Sequence, residues 1–470
     1  MYEEKFHDYF LAHKEAMLKD LEGLIAINSE QGPAEEGKPF GPGPYQALHA
    51  AKALLEQYGF IVKNYDNYAL TADLDEKERQ LDMLCHLDVV PAGDGWSVTE
   101  PFVMKVQDGK VYGRGTADDK GPAICALYAM KAIKDLQIPL KKGVRLILGT
   151  NEETGSKDIE YYFSKEKSAP MTISPDADFP LIFLEKGRLG GNFFAKNLKS
   201  GEGDPDVTIL SLHAGQASNA VPGRARTLIK GIPADEWKIF TEHAGVDMGL
   251  AFEIEERDDA VSITVVGEGA HASSPEHGRN ALTGLLTLLM SVESIRKNYP
   301  ALEGLCKCFP HGDFRGHAMG VDLEDPVSGK TSLALTVLHL ADDKAEGWFD
   351  LRGGIPATKE NTTDVIRRYL EEAGWTLDEN AALSEVHYVP RDSELVIKLM
   401  ASYKKITGRD EEPLAIGGGT YVHEIENGVA FGCADPNVDN RMHGPDEFMS
   451  IDQMLLSCEI FADAILSICG

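Results

Sequence analysis

Three short apolar runs that stop at acidic or histidine residues constrain the fold most. Leu81-Asp82-Met83-Leu84-Cys85 runs into His86-Leu87-Asp88, Val144-Arg145-Leu146-Ile147-Leu148 is followed by Asn151-Glu152-Glu153, and Met171-Thr172-Ile173-Ser174 by Pro175-Asp176. Short apolar runs read as buried strands. Between the first two lies a helical pattern, Ile124, Leu127, Tyr128, Met130 and Ile133. Strands alternating with helices predict a mixed, mainly parallel sheet covered by helices on both faces, an α/β fold. In such a sheet ligands bind at the C-terminal ends of the strands. Imidazole and several carboxylates converging there suit zinc, manganese or a similar divalent ion.

A fourth element joins them. Tyr112-Gly113-Arg114-Gly115-Thr116-Ala117-Asp118-Asp119-Lys120-Gly121-Pro122 is a glycine-broken turn that delivers two adjacent carboxylates to the start of the helix. Pro122 suits a first helical turn, where a missing N–H costs nothing. Neighbouring acids repel, and a bound cation is the simplest reason to leave both at a junction. Alone, the pair reads equally well as a solvated turn.

The 470 residues allow two or three domains, and 43% hydrophobic content allows a substantial core. Lys and Arg total 46 against 76 Asp and Glu, a formal charge of −30 that argues against nucleic-acid and anionic-membrane partners. The seven cysteines form no C-x-x-C pair, so neither a disulfide framework nor a zinc ribbon is indicated and a reducing compartment is expected. Met1-Tyr2-Glu3-Glu4-Lys5 lacks the order of a signal peptide, and no apolar run is long enough to span a bilayer. A cytoplasmic location is expected.

Phe6, Phe10, Met17, Leu21, Leu24 and Ile25 predict an opening amphipathic helix, followed by a Gly- and Pro-rich loop, a helix from about Tyr45 to Tyr58 and strands over Phe60–Tyr65 and Ala69–Leu74. After Leu184 the pattern becomes α+β with short antiparallel strands. Helices are expected over about Ala234–His243, Asn280–Arg296 and Glu360–Ala373, and strands include Val207–Leu212, Arg226–Ile229, Val261–Val266, Thr331–Leu340 and Gly347–Leu351. Two halves of similar strand and helix content hint at a duplication, without a clear sequence repeat. From about Arg391 the first pattern returns and ends in a helix near Ile451–Ile468.

His86-Leu87-Asp88, Gly113 to Gly121, Glu152-Glu153, Asp176 and a late His443-Gly444-Pro445 resemble, in order and over nearly the whole chain, a family of di-metal peptidases and deacylases. It includes acetylornithine deacetylase, succinyl-diaminopimelate desuccinylase, carboxypeptidase G and carnosinase. The length, Asn219-Ala220-Val221-Pro222 and Gly417-Gly418-Gly419-Thr420-Tyr421 resemble its PepV-type bacterial dipeptidase branch most. The resemblance implies a catalytic domain of residues 1–185 and 390–470, with residues 186–389 inserted as a lid of ferredoxin-like halves. It implies two divalent ions, zinc foremost with manganese or cobalt as alternatives. Asp118 would bridge them, with His86 and Asp176 on one and Glu153 and His443 on the other, and the Asp118–Asp119 peptide would be cis. Glu152 would be the general base for a water held by both ions, and Asp88 would orient His86.

From the lid, the resemblance implies that His271, in Gly269-Ala270-His271-Ala272-Ser273-Ser274-Pro275, stabilises the oxyanion and that Asn219 contacts substrate. In dimeric relatives this pair comes from the neighbouring subunit; the larger lid here would supply it within a monomer. Arg352, ending a strand, and the glycine-rich Gly418, Gly419 and Thr420 are suited to a substrate carboxylate. His213, His277, His311, His317, His339 and His423 are left without a role. The expected activity is hydrolysis of dipeptides with a free amino terminus, β-alanyl dipeptides included, with a small peptide as the only partner. An N-acyl-amino-acid deacylase on the same site and a non-catalytic, metal-stabilised peptide-binding protein are the alternatives. Glu152 and Asp88 count against the last, since binding alone needs neither.

Overall fold

The computed structural model describes residues 2–200, 202–342 and 344–470, without the side chains at 243, 245 and 246. The N-terminal reading begins at Met1, which lies outside the described residues. The chain divides into two compact units. The first comprises Met1–Leu184, His387–Leu414 and Gly419–Gly470; the second comprises Glu185–Val386 and Ala415–Gly418.

In the first unit the helical stripe of the opening segment forms α1 (Glu3–Ile25), burying Phe6, Phe10, Met17, Leu21 and Leu24. Helix α2 (Pro42–Gln57) follows, with proline in its first turn where no N–H is needed. The sheet contains β1 (Ile61–Tyr65), β2 (Ala69–Asp73), β3 (Arg79–His86), β4 (Gly143–Gly149) and β5 (Met171–Ser174) in the spatial order β1-β2-β4-β3-β5. It continues through the strands Gly428–Ala430, Ile182–Glu185 and His387–Tyr388. The pairs β3–β4, β3–β5 and β5 with Gly428–Ala430 are parallel. The pairs β1–β2, β2–β4 and Gly428–Ala430 with Ile182–Glu185 are antiparallel. The sheet is therefore mixed with a parallel centre, and the three acid-tipped runs, β3, β4 and β5, lie in that centre. Helix α3 (Lys120–Asp135), α1 and the C-terminal helix Ile451–Cys469 pack together, and both α3 and the C-terminal helix lie against β3. Helix α3 buries almost every side chain, including Lys120 and Tyr128, which is why its sequence reads apolar well beyond one face.

The second unit is an eight-stranded antiparallel sheet. Its strand order is Ala251–Arg257, Ala260–Val266, Arg224–Lys230, Thr208–Ala214, Ser332–Ala341, Lys344–Gly353, Gly187–Lys196 and Thr376–Leu377. One side of these strands contributes Leu189, Phe193, Leu212, Ile229, Ile263, Leu338, Phe349 and Leu351 to a single core with Trp237, Leu285, Leu289, Leu302 and Ile366 from the helices. Most strands run seven to ten residues; Ser332–Ala341 has the length expected, while Arg224–Lys230 and Lys344–Gly353 extend beyond the runs expected at Arg226–Ile229 and Gly347–Leu351. The helix expected over Asn280–Arg296 is two: Ala281–Ser291 and Glu293–Asn298 meet at Val292, whose backbone is extended at φ −90° and ψ 114°. A further helix, Pro300–Cys308, escaped the periodicity because it is short and proline-started. Helix Asp364–Glu372 begins later than expected, after a wide turn over Lys359–Thr363 capped by the Thr358 side chain.

Among the described residues no helix is long and apolar enough to cross a membrane.

Candidate metal centre

The centre of the first unit's sheet puts His86 at the last position of β3, with Glu152 and Glu153 in a short turn after β4 and Asp176 just beyond β5. Asp118 arrives from the loop before α3. Its Oδ1 lies 2.8 Å from His86 Nε2, and its Oδ2 lies 2.8 Å from His443 Nε2. Asp176 Oδ2 is 3.5 Å from His86 Nε2, and Glu153 Oε2 is 3.4 Å from His443 Nε2. Two ligand groups result, His86–Asp118–Asp176 and Asp118–Glu153–His443, and Asp118 alone belongs to both.

Hydrogen bonds hold this arrangement from behind. The Asp88 backbone oxygen lies 3.0 Å from His86 Nδ1. Its carboxylate, 3.5 Å from the same nitrogen, accepts the N–H groups of Glu152 at 3.2 Å and Glu153 at 3.1 Å. Asp88 therefore orients His86 chiefly through its main chain, while its side chain fixes the turn bearing both glutamates. Asp119 Oδ2 accepts the His86 N–H at 2.8 Å, and the Asp118–Asp119 peptide is cis, as the resemblance implies.

Sequence reasoning missed Glu447. This fully buried carboxylate accepts the N–H groups of Gly115 at 3.0 Å, Ala117 at 2.8 Å and Asp118 at 3.3 Å, and it pairs with Arg114 Nη1 at 2.6 Å. Arg114 Nη2 donates in turn to the His443 carbonyl at 3.2 Å. One acid thus ties the Asp118 loop to the His443 loop, in which His443 itself has φ 62°. Asp158 was also missed: it accepts the N–H of Thr150, that of Asn151 at 2.8 Å and the Tyr421 hydroxyl at 2.5 Å, anchoring the entry to the glutamate turn. The available signal was weak, since a glutamate four residues after a histidine reads as a surface turn.

The electrostatics fit a cation pair. Burial and the neighbouring Asp118 push the Glu153 carboxyl up to about 7, and burial raises Asp176, Asp119 and Glu152 as well. Burial also acts on Asp118, but the hydrogen bonds from His443 and His86 hold it below the usual carboxylate range. Contact with Asp118 and Glu153 lifts His443 to about 11. His86 Nε2, Asp118 Oδ1 and Asp119 Oδ1 are buried without a hydrogen bond of acceptable geometry. Buried carboxylates in mutual repulsion, with the unsatisfied His86 Nε2 and Asp118 Oδ1 side by side in one ligand group, match two divalent ions with mixed N and O ligands.

A model of peptidase family M20/M25/M40 matches residues 83–467, which contain every residue of this centre. The chain belongs to that family. Among its relatives are the Beta-Ala-Xaa dipeptidase of Lactobacillus delbrueckii subsp. lactis, 34% identical over 98% of this chain and 97% of its own, and the putative dipeptidase YtjP of Bacillus subtilis (strain 168), 33% identical over 96% and 97%. The fold resembles that of human carnosine dipeptidase 1, with a TM-score of 0.63 at 15% identity over 100% of this chain and 99% of that one. The aminoacylhistidine dipeptidase of Vibrio alginolyticus gives 0.57 at 15% identity over 96% of each.

The remaining residues singled out from the sequence lie mostly in the second unit of this M20 chain. Ala220 pairs with His271 across two short strands, and the Asn219 backbone carbonyl accepts the Ala272 N–H at 2.8 Å, so Asn219 and His271 are neighbours. The Ser273 N–H donates to His271 Nδ1 at 3.2 Å and the Ser273 hydroxyl lies 2.6 Å from it, which makes Nδ1 an acceptor and leaves the ring proton on Nε2. Arg352 is not a free cation at a strand end. It is 7% exposed, its Nε and Nη2 donate to Asp350 at 2.6 and 3.1 Å, and its Nη1 donates to the Gly417 carbonyl at 2.5 Å. A guanidinium has five N–H groups, so two remain beyond these. Arg188, opposite Arg352 on the neighbouring strand, holds the same Asp350 at 2.9 Å. The glycine-rich stretch leads into a short turn, Tyr421–Glu424, which the Thr420 hydroxyl caps by accepting from Val422 N–H.

Proposed function

We propose that this M20 chain hydrolyses dipeptides with a free amino terminus, β-alanyl dipeptides included, at a two-metal centre built on Asp118. One observation carries the reading: Asp118 gives one oxygen to each of two ligand groups, while Glu152 adjoins the ligand Glu153 yet belongs to neither group. The dipeptidase names of the full-length relatives support the substrate class.

His86 and Asp176 would hold one ion, Glu153 and His443 the other, and Asp118 both. Zinc suits the set best, with manganese or cobalt as alternatives. Once bound, the pair supplies charge neutralisation and Lewis acidity. The chain's own residues do the rest. Glu152, whose carboxyl burial raises above the usual carboxylate range and so makes its ionised form a stronger proton acceptor, takes a proton from the attacking water and returns it to the leaving amine. His271 donates its Nε2 proton to the scissile carbonyl oxygen as negative charge develops, Ser273 fixing the required tautomer. Arg352 directs its two remaining N–H groups to the substrate carboxylate, with Asp350 holding the guanidinium plane. Asn219 contacts the substrate beside His271, and Gly418, Gly419 and Thr420 contribute backbone and hydroxyl groups to the carboxylate. We further propose that the first unit is the catalytic domain and the second its lid, and that the enzyme works as a monomer. The seven free cysteines support a reducing, cytoplasmic setting.

The test is turnover by metal-stripped protein, reconstituted ion by ion, on free dipeptides, β-alanyl dipeptides and N-acetyl amino acids. Hydrolysis of the peptides with zinc, manganese or cobalt is expected. Turnover of N-acetyl amino acids alone would replace the dipeptidase reading with a deacylase, and full activity without any ion would remove the metal centre from the reaction.

A further inference from the structure

We propose that the second unit carries a separate site for a borderline transition-metal ion, formed by the cross-strand pair His213 and His339. The strands Thr208–Ala214 and Ser332–Ala341 are antiparallel neighbours, and their register sets His213 directly opposite His339. The flanking residues Leu212, Ala214, Leu338 and Leu340 are buried in the core. Alternation along a strand therefore turns both imidazoles to the other face of the sheet.

The two Nδ1 atoms are 3.3 Å apart, and the rings tilt towards each other with centroids 5.5 Å apart. That separation is at the long end for a hydrogen bond. It also matches the bite of a chelate. Two imidazole nitrogens at about 2.0–2.1 Å from one tetrahedral zinc stand roughly 3.3–3.4 Å from each other. Both nitrogens are thus set for a single ion above the sheet, with the strand register fixing the bite.

The surroundings favour the neutral form of His339 that a metal needs. Burial and the neighbouring His213 lower the His339 pKa, so its lone pair is available at neutral pH. Glu346 lies opposite His339 on the next strand and places a negative charge beside it. Arg226 lies opposite His213 on the other side, but its Nε donates to Ser262 at 3.0 Å. Beside His339 a groove of about 390 Å³, bordered by Phe194, Lys196, Lys344 and Glu346, leaves room for water to complete the coordination. Two imidazoles select zinc, nickel or copper over magnesium or calcium, which take oxygen. Two protein ligands on an open face make an exchangeable site, not a structural one. Neither histidine belongs to the ligand groups of the first unit.

Equilibrium dialysis of the holoenzyme against buffered zinc, and separately nickel, tests this by metal count. Wild type should bind one ion more than either His213→Ala or His339→Ala, while both variants keep wild-type dipeptide turnover. His213→Gln and His339→Gln, which preserve the polar outer row, serve in the same comparison if an alanine variant folds poorly. Magnesium should give no difference between the proteins. Equal zinc counts in wild type and every variant would leave only a histidine–histidine contact and overturn the site. So would an extra equivalent of magnesium that depends on the pair.

Discussion

Substituting Glu447 with glutamine tests whether the frame of the metal centre is the buried acid behind it. Glutamine retains an oxygen for the N–H groups of Gly115 and Ala117 but loses the charge that faces Arg114 at 2.6 Å. Both partners of that pair are 1% exposed, so Arg114 would be left as a buried cation without its counter-ion. Removing one partner of such a pair costs about 3–5 kcal/mol. Glu447 also accepts from Asp118 N–H, and Arg114 donates to the His443 carbonyl, so part of the loss must fall on the two loops that bring ligands together. If half does, about 1.5–2.5 kcal/mol, affinity for the ions drops roughly ten- to seventyfold. The assay is competition with a chelator of known zinc affinity, followed by turnover at saturating metal, where most activity should return. An unchanged metal affinity accompanied only by a lower melting temperature would refute the reasoning. Glu447 would then be a core ion pair with no part in shaping the site.

Other consequences follow from the same geometry. Arg352→Ala should lower kcat/KM on free dipeptides by about ten- to several-hundredfold, the worth of a charge-assisted bidentate contact, and should hardly affect C-terminally amidated dipeptides; equal losses on both would make Arg352 structural. Mixing Glu152→Ala with His271→Ala protein should restore no activity if each chain completes its own site, whereas recovered turnover would show sites shared between chains. Burial raises the Asp82 carboxyl from its ordinary 3.8 to about 6, so its contribution to stability is full below pH 3.8, declines as pH rises and is lost above about 6. Asp82→Asn should therefore compare better with wild type at pH 7 than at pH 4, by up to roughly 3 kcal/mol, in denaturant unfolding; an offset independent of pH would contradict it.

The parallel centre of the first unit's sheet was legible because its strands are buried on both faces and so read as continuous apolar runs. Their C-terminal ends then pointed to His86, Glu153 and Asp176, and the structure gathers those residues with Asp118 and His443. The antiparallel pairing at both edges of that sheet left no such mark, since β1 and β2 are short and their direction is set by the turn between them. Glu447 was illegible for a different reason. Its role lies in three backbone N–H groups and an arginine far away in sequence, and nothing local separates it from a turn acid. Arg352 was visible as a cation at a strand end, but its hold on Asp350 and Gly417 depends on packing between strands and a distant loop. The break at Val292 was hidden because apolar residues keep helical spacing across it, and only tertiary packing turns that residue to extended backbone.

Glu152 is placed to move a proton and its neighbour Glu153 to hold a metal, and metal content measured together with turnover in Glu152→Ala protein separates the two roles. Wild-type metal content is expected, with turnover reduced by about 10²–10⁴, the usual contribution of a general base. Metal lost in step with activity would instead make Glu152 a ligand and remove it from the proton transfer.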